Sequence, residues 1–341
     1  MQTTSRPFEF KGQAGEFFKI WIVNVMLSIV TLGIYSAWAK VRTKRYFYGN
    51  TLLMNTPFDY LADPIKILKG RALAFGLIVL YSLSGVLSPV IQQMMILAFL
   101  VMLPWIIIKS LKFNLYNSAY RNIRFHFDAE YLRTLGVFVG LPILIPFTLG
   151  LAYPAFVRAR KKYVIEHSAY GTSGFAMSAS NNQFYTIYFQ TAGVLLLGAL
   201  VMFILFKVIQ ALSLTPEAVQ PTMWPIALIL LLIPALIAIY GYLYTSITNL
   251  VVNHTQLLQY RFESNLKTAE ICWLYIVNTL AIIFSLGLAI PWAMVRTARY
   301  RLSCIAFVGT GDTDTFIAGE AEKAGALGEE LEDLLDLDIG L

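Results

Sequence analysis

One short string constrains this chain more than any other, because the chain writes it again near its far end. Ser36–Tyr46 reads SAWAKVRTKRY. At a shift of 254 residues, Trp38, Ala39, Val41, Arg42, Thr43, Arg45 and Tyr46 return as Trp292, Ala293, Val295, Arg296, Thr297, Arg299 and Tyr300. A looser copy, YPAFVRARKKY, ends at Tyr163, 117 residues after Tyr46. On a helix Trp38, Val41, Arg42 and Arg45 share a face. An aromatic and cationic face of that kind belongs where lipid headgroups meet water. The expectation is an integral membrane protein with internal symmetry.

Composition names the medium. The chain is 57% hydrophobic and only 13% charged, against a globular norm of about 25% charged. The runs 72–108, 134–157, 208–260 (broken by Glu217) and 271–295 are almost free of charge. Each is long enough for a span of roughly 20 residues, and the first and third for two. The first sixteen residues carry Arg6, Glu9, Lys11 and Glu16 and do not read as a cleavable signal peptide. Cys272 and Cys304 give no disulfide framework and read as small packing residues.

More than the basic string is copied. Phe8 and Phe10 of FEFKG share a face if extended and return as Phe125 and Phe127 in IRFHF. Phe262 and Glu263 match Phe8 and Glu9, with Ser264 where Phe10 would stand. Apolar segments Phe17–Ala39, Leu135–Phe156 and Ile271–Ala293 follow, sharing Ile-Val-Asn (22–24, 276–278) and a glycine at 33, 150 and 287 that marks a bend or close contact. TLLMNTPFDY at 51–60 looks like two short strands around Asn55-Thr56-Pro57.

These features predict a mainly α, multi-pass membrane protein. Three repeat units (1–70, 114–183 and 251–318), each short strands, a bent apolar helix and a basic amphipathic helix, alternate with transmembrane hairpins at 71–113 and 184–250. Small β elements lie on the cytoplasmic side, and an acidic tail covers 319–341. That tail holds eight acids and one base, a net −7, which leaves the rest at +13. Lysine and arginine crowd the repeat units and are missing from the hairpin turns 88–93 and 211–223, which places the units inside the cell. The apolar segment of each unit either crosses the membrane, giving seven spans, or bends at its glycine into two arms of about 14 residues. Arms of roughly 21 Å are too short to cross comfortably, which would leave four spans.

At these residues the chain resembles the YjgN-like bacterial inner-membrane proteins, a family without assigned function. The resemblance rests on FEFKG, IVN and TLGIYSAWAKVRTKRYFYGNT and covers nearly the whole chain. It implies a multi-pass inner-membrane location. It says nothing of the acidic tail.

Candidate sites follow from the same positions. Trp38, Arg42, Arg45, Tyr46, Trp292, Arg296, Arg299 and Tyr300 offer an interfacial, anion-binding face, or serve as topology anchors. Asn24 and Asn278 are amides in apolar segments, lining a path or bonding between helices. Lys207 reads as a snorkelling cation or the mark of a cavity, and Glu16 and Glu270 as solvated or capping flank residues. His126, His167 and His254 have no metal-ligand spacing, and Gly309–Asp314 reads as a tight turn. The tail places Leu327, Leu331, Leu334 and Leu335 at helical spacing, as an amphipathic helix or a frayed end. No cofactor motif, nucleic-acid motif or catalytic constellation is legible. The expected partner is the bilayer, with anionic lipid headgroups or a protein at the repeat units. A transporter or channel built on the symmetry is the alternative.

Overall fold

A computed structural model describes residues 4–211, 223–309 and 317–323. Its organising element is a sheet. Ten short strands close into one antiparallel barrel: β1 (Thr4–Phe10), β2 (Thr51–Leu53), β3 (Thr56–Tyr60), β4 (Ser118–Tyr120), β5 (Ile123–Phe127), β6 (Ser168–Tyr170), β7 (Ser173–Met177), β8 (Thr255–Leu257), β9 (Tyr260–Ser264) and β10 (Ile305–Gly309). Each pairs with its neighbour in sequence, and β10 returns to β1 with Ser5 opposite Val308. Closure leaves no edge strand exposed, the standing hazard of a sheet.

The closed barrel overturns the expectation of a mainly α fold whose strands are minor elements. Its strands are three to seven residues long, too short to announce a sheet alone. Their partners are supplied by ring closure between strands as far apart as β1 and β10, which no local pattern shows. The turn of the first doublet also shifts. Met54 and Asn55 take it, both in the left-handed region (φ 51° and 58°), as a two-residue hairpin turn requires.

All the long helices hang from one rim. α1 (Ala14–Val30) and α2 (Ser36–Gly49) join β1 to β2; α3 (Pro64–Leu87) and α4 (Pro89–Tyr116) join β3 to β4. α5 (Tyr131–Leu135), a π-helical stretch at Gly136–Gly140, α6 (Leu141–Phe147) and α7 (Tyr153–Glu166) join β5 to β6. α8 (Asn181–Ala211) and α9 (Met223–Asn253) join β7 to β8, and α10 (Thr268–Phe284) and α11 (Ile290–Ser303) join β9 to β10. Among the described residues the opposite rim carries the hairpin turns, the ends of β1 and β10, and a helical segment at 317–323. Each helix pair packs on the next, and α11 packs on α1, so the helical layer closes as the barrel does.

Four helical stretches, Pro64–Leu87, Pro89–Tyr116, Asn181–Ile204 and Ala235–Asn253, are long and apolar enough to cross a membrane. The other pairs reverse sharply. Leu32 and Gly33 (φ 50° and 90°), Leu149 and Gly150 (50° and 87°) and Leu286 and Gly287 (51° and 92°) repeat one left-handed turn. A glycine there avoids the Cβ penalty of that conformation.

Strand alternation sorts the barrel wall. Phe8, Phe58, Phe125, Phe175 and Phe262, one from each odd-numbered strand, face the lumen, while Glu9, Asp59, Ala176 and Glu263 beside them are exposed. Phe8 stacks on Phe58 (6.1 Å between centroids), and Phe175 contacts Phe125 (6.4 Å) and Phe262 (6.2 Å). Beyond this ring lie Leu53, Tyr120, Tyr170, Leu257 and Phe307, buried in one core cluster.

Candidate functional site

The residues singled out from the sequence fall at the rim where strands hand over to apolar helices. There the structure joins two groups that sequence reasoning kept apart. Asn24 on α1 accepts from Arg42 Nη1 on α2 at 3.3 Å, and Asn278 on α10 accepts from Arg296 Nη1 on α11 at the same distance. Both amides are buried between the helices of their own pair, 4% and 5% exposed. Asn278 also donates to Thr297 Oγ1 (3.0 Å) and to the Ala293 carbonyl (3.4 Å). Arg42 reaches the Tyr35 hydroxyl as well (3.1 Å), and Arg296 lies over the Trp292 ring, 5.2 Å from its centroid.

Arg45 and Arg299 act between pairs. Arg45 donates to the carbonyls of Tyr60 and Ala62, both at 3.2 Å, on the link from β3 to α3. Arg299 donates to the Gly12 carbonyl on the link from β1 to α1 (2.9 Å). In the middle copy Arg158 does likewise to Ala179, between β7 and α8 (2.7 Å).

Tyr46 and Tyr300 cap helices from outside. The N-cap residues of α1 and α10, Gln13 and Lys267, supply no side-chain cap. Instead the Tyr46 hydroxyl accepts from the Gln13 N–H (2.7 Å) and donates to its carbonyl (2.8 Å). Tyr300 accepts from the Lys267 N–H (3.1 Å). Trp38 stacks on Tyr35 (6.1 Å) against the cluster of Val41, Tyr60, Ile67 and Phe113. Trp292 is 39% exposed.

Trp292, Arg296 and Arg299 also line an open cleft of about 800 Å³ with Phe10, Lys11, Gln13, Ala14, Gly15 and Val295. Its lining has three cations and no acid. Gln13, Ala14 and Gly15 bring the start of α1 to its wall. This concave, cationic, tryptophan-edged site lies where the last helix pair meets the first, a contact that only ring closure creates.

Other sequence candidates separate. Tyr163, His167 and Phe127 cluster beside β5, while His254 Nε2 meets Gln183 (3.0 Å). Among the described residues no group of three His, Cys, Asp or Glu is placed to hold a metal. Lys207 lies over Phe203 on α8. Residues 310–316 and the leucines at 327–335 lie outside the described residues.

Sequence reasoning missed Glu320. A helical segment at 317–323 closes the turn rim of the barrel, with Ile317 in the lumen cluster. The Glu320 carboxylate, 2% exposed, accepts from the Thr172 N–H (2.7 Å), the Thr172 hydroxyl (2.9 Å) and the Ser173 hydroxyl (2.9 Å). Burial alone would raise its pKa, but these donors and Lys323 outweigh it and hold the carboxyl below its usual value. A Cβ at Gly171 (φ +57°) would come 2.7 Å from Glu320 Oε2. In the sequence Glu320 was one acid of eight.

Comparison with known proteins agrees with this setting. The family described as bacterial protein of unknown function (DUF898) matches residues 5–334. Inner membrane protein YjgN of Escherichia coli O157:H7 is 30% identical over 159 residues, 45% of this chain and 39% of that protein. Its Salmonella typhimurium LT2 counterpart is 30% identical over 138 residues, 40% of this chain and 35% of its own length. The matched stretch thus spans under half of these curated relatives. No solved structure matches the chain.

Proposed function

The chain belongs to the DUF898 family of bacterial proteins and resides in the inner membrane, and from that premise we propose that it is a non-enzymatic, multi-pass binder of anionic lipid headgroups. In this reading α3, α4, α8 and α9 cross the bilayer. The pairs α1–α2 and α10–α11 and the stretch α5–α7 dip in and return, and the barrel stands on the cytoplasmic side.

One observation carries the reading: the cleft formed by Lys11, Arg296 and Arg299 with Trp292 at the α11–α1 seam. Three cations with no acid in the lining favour a phosphate-bearing headgroup. A partly exposed tryptophan suits the interfacial layer. The cleft is narrower than the face expected from sequence. All four arginines bond an asparagine or a backbone carbonyl, but only Arg296 and Arg299 also line the cleft, so the Trp38–Arg45 stripe supports the ring more than it supports a ligand.

Lys11 is the residue to test, since its ammonium is largely exposed and its one described ion pair is a 4.0 Å contact with Glu9. Purified protein in nanodiscs should retain phosphatidylglycerol over phosphatidylcholine by native mass spectrometry. Lys11→Glu should cut that preference about five-fold or more, at roughly 1 kcal/mol per interfacial cation. Equal retention of both lipids by the unaltered protein would refute the reading.

A further inference from the structure

We propose that the barrel lumen is a second lipid site, one that takes a single hydrocarbon chain from the membrane side and ignores the headgroup. It goes beyond the cleft and does not depend on it.

The lumen holds a cavity of about 160 Å³ whose lining exposes only apolar surface. Two of its walls carry hydroxyls, and both are spent on the barrel itself. Tyr120 donates to the Leu53 carbonyl (2.7 Å) and Tyr170 to the Tyr120 carbonyl (3.1 Å). A buried water needs two to four polar partners, and a dry apolar cavity of about 150 Å³ is known to take benzene. This space therefore suits hydrocarbon and disfavours water or ions.

Entry is asymmetric. At the turn rim Ile317 lines the cavity, held there by the Glu320 carboxylate on the β6–β7 turn. Toward the helix rim, Phe8, Phe58 and Phe125 divide the cavity from a second one of about 320 Å³, which reaches Tyr48 at the end of α2 and Leu115 at the end of α4. The rings that separate the two spaces are half-buried, with apolar volume on both sides. α4 is one of the four helices fit to cross the bilayer; this step rests on the multi-pass reading above, by which the opening at the end of α4 lies at the membrane surface. A flexible chain entering there would pass the phenylalanine ring and stop beneath Ile317.

The test uses phosphatidylcholine with a diazirine at the end of one acyl chain. That headgroup carries no net charge, so failure of the cationic cleft leaves this experiment unaffected. Wild-type protein is irradiated in nanodiscs and its adducts are mapped by peptide mass spectrometry. Adducts are expected on β5, β7 and β9 as well as on the membrane helices. Leu257→Trp, which fills the cavity, should cut the barrel adducts at least five-fold and leave those on α4 unchanged; Leu257→Phe should give a smaller drop in the same direction. If wild-type adducts are confined to the helices, the lumen is a closed core and the proposal fails. Barrel adducts that persist at full yield in both filled variants overturn it equally.

Discussion

Two helix pairs at the ends of the chain and the stretch in its middle occupy matching places in the ring, but different contacts hold them. In α1–α2 and α10–α11 a buried asparagine on the first helix meets an arginine on the second, 18 residues later in both cases. In α5–α7 the residues at the matching shift are Leu141 and Ala159. The polar latch is gone, and with it the regular first helix. A π-helical stretch fills Gly136–Gly140, and Pro142 and Pro146 follow. Compensation comes from elsewhere. Tyr163 bonds Thr134, and the hairpin after α7 is clamped from outside by Glu320. The end pairs share an asparagine–arginine latch, whereas the middle stretch relies on Thr134–Tyr163 and on the clamp at the hairpin that follows it.

The largest expected effect falls on that external clamp. Glu320→Ala leaves the Thr172 N–H and two hydroxyls without their charged partner, a loss of roughly 2 kcal/mol. Amide hydrogen exchange at Thr172 should rise about thirty-fold, with Asn278 and its surroundings unaffected. Acid does the same work reversibly. The folded carboxyl lies below its usual value, so its contribution is complete above the unfolded pKa of about 4.3 and fades as pH falls through the folded value. Glu320→Gln should show protection at Thr172, taken relative to the intrinsic exchange rate at each pH, that is flat across that acid range. A pH-dependent profile in the Gln variant would assign the clamp to another group.

Breaking the latch of the end pairs costs less. Asn278→Leu removes the Arg296 contact and the bond to Thr297, about 1–2 kcal/mol by the scale of interhelical hydrogen bonds in membranes. The denaturation midpoint in detergent should fall accordingly, and Leu141→Ala in the middle stretch should not reproduce the loss of polar contacts. Next in size is Tyr300→Phe, which uncaps Lys267 at the start of α10 for about 1 kcal/mol. Hydrogen exchange in the first turn of α10 should quicken while α1, capped by Tyr46, stays as it was. Equal quickening in α1 would mean that the two caps are not independent.

Much of the rim was legible in the sequence and little of its wiring. The Trp–Arg strings, the glycines at 33, 150 and 287 and the short strands around 51–60 announce local geometry, since periodicity and turn chemistry act within a few residues. Pairing across the ring has no such signature. Nothing near Arg299 says that its partner is the Gly12 carbonyl, 287 residues away, and nothing near Thr4 says that it lies opposite Gly309. Asn24 and Arg42 were visible singly, one as an intramembrane amide and one as an interfacial cation. Their union depends on the left-handed turn that folds α2 back along α1. The barrel itself was lost because its wall is made mostly of strands of three to five residues that carry little alternation, and no local pattern names their partners.

The smallest effect is also the most direct test of the contrast. If the end pairs differ from the middle because of two side chains, restoring those side chains should import the latch. Leu141→Asn with Ala159→Arg places an amide and a guanidinium at the matching shift from Asn24 and Arg42. The gain should be small, about 0.6 kcal/mol, since the new arginine must also be partly desolvated beside Tyr163. Each single variant should be destabilising, because an amide or a guanidinium alone in that helix pair has no partner. The informative quantity is the coupling between the two changes, read from a double-mutant cycle in denaturant. Coupling near the expected size would mean that the shared turn at Leu149–Gly150 still presents the helices in the geometry of the end pairs. Additive effects would mean that the π-helical stretch has rotated position 141 away, and that the middle stretch has diverged in backbone as well as in side chains.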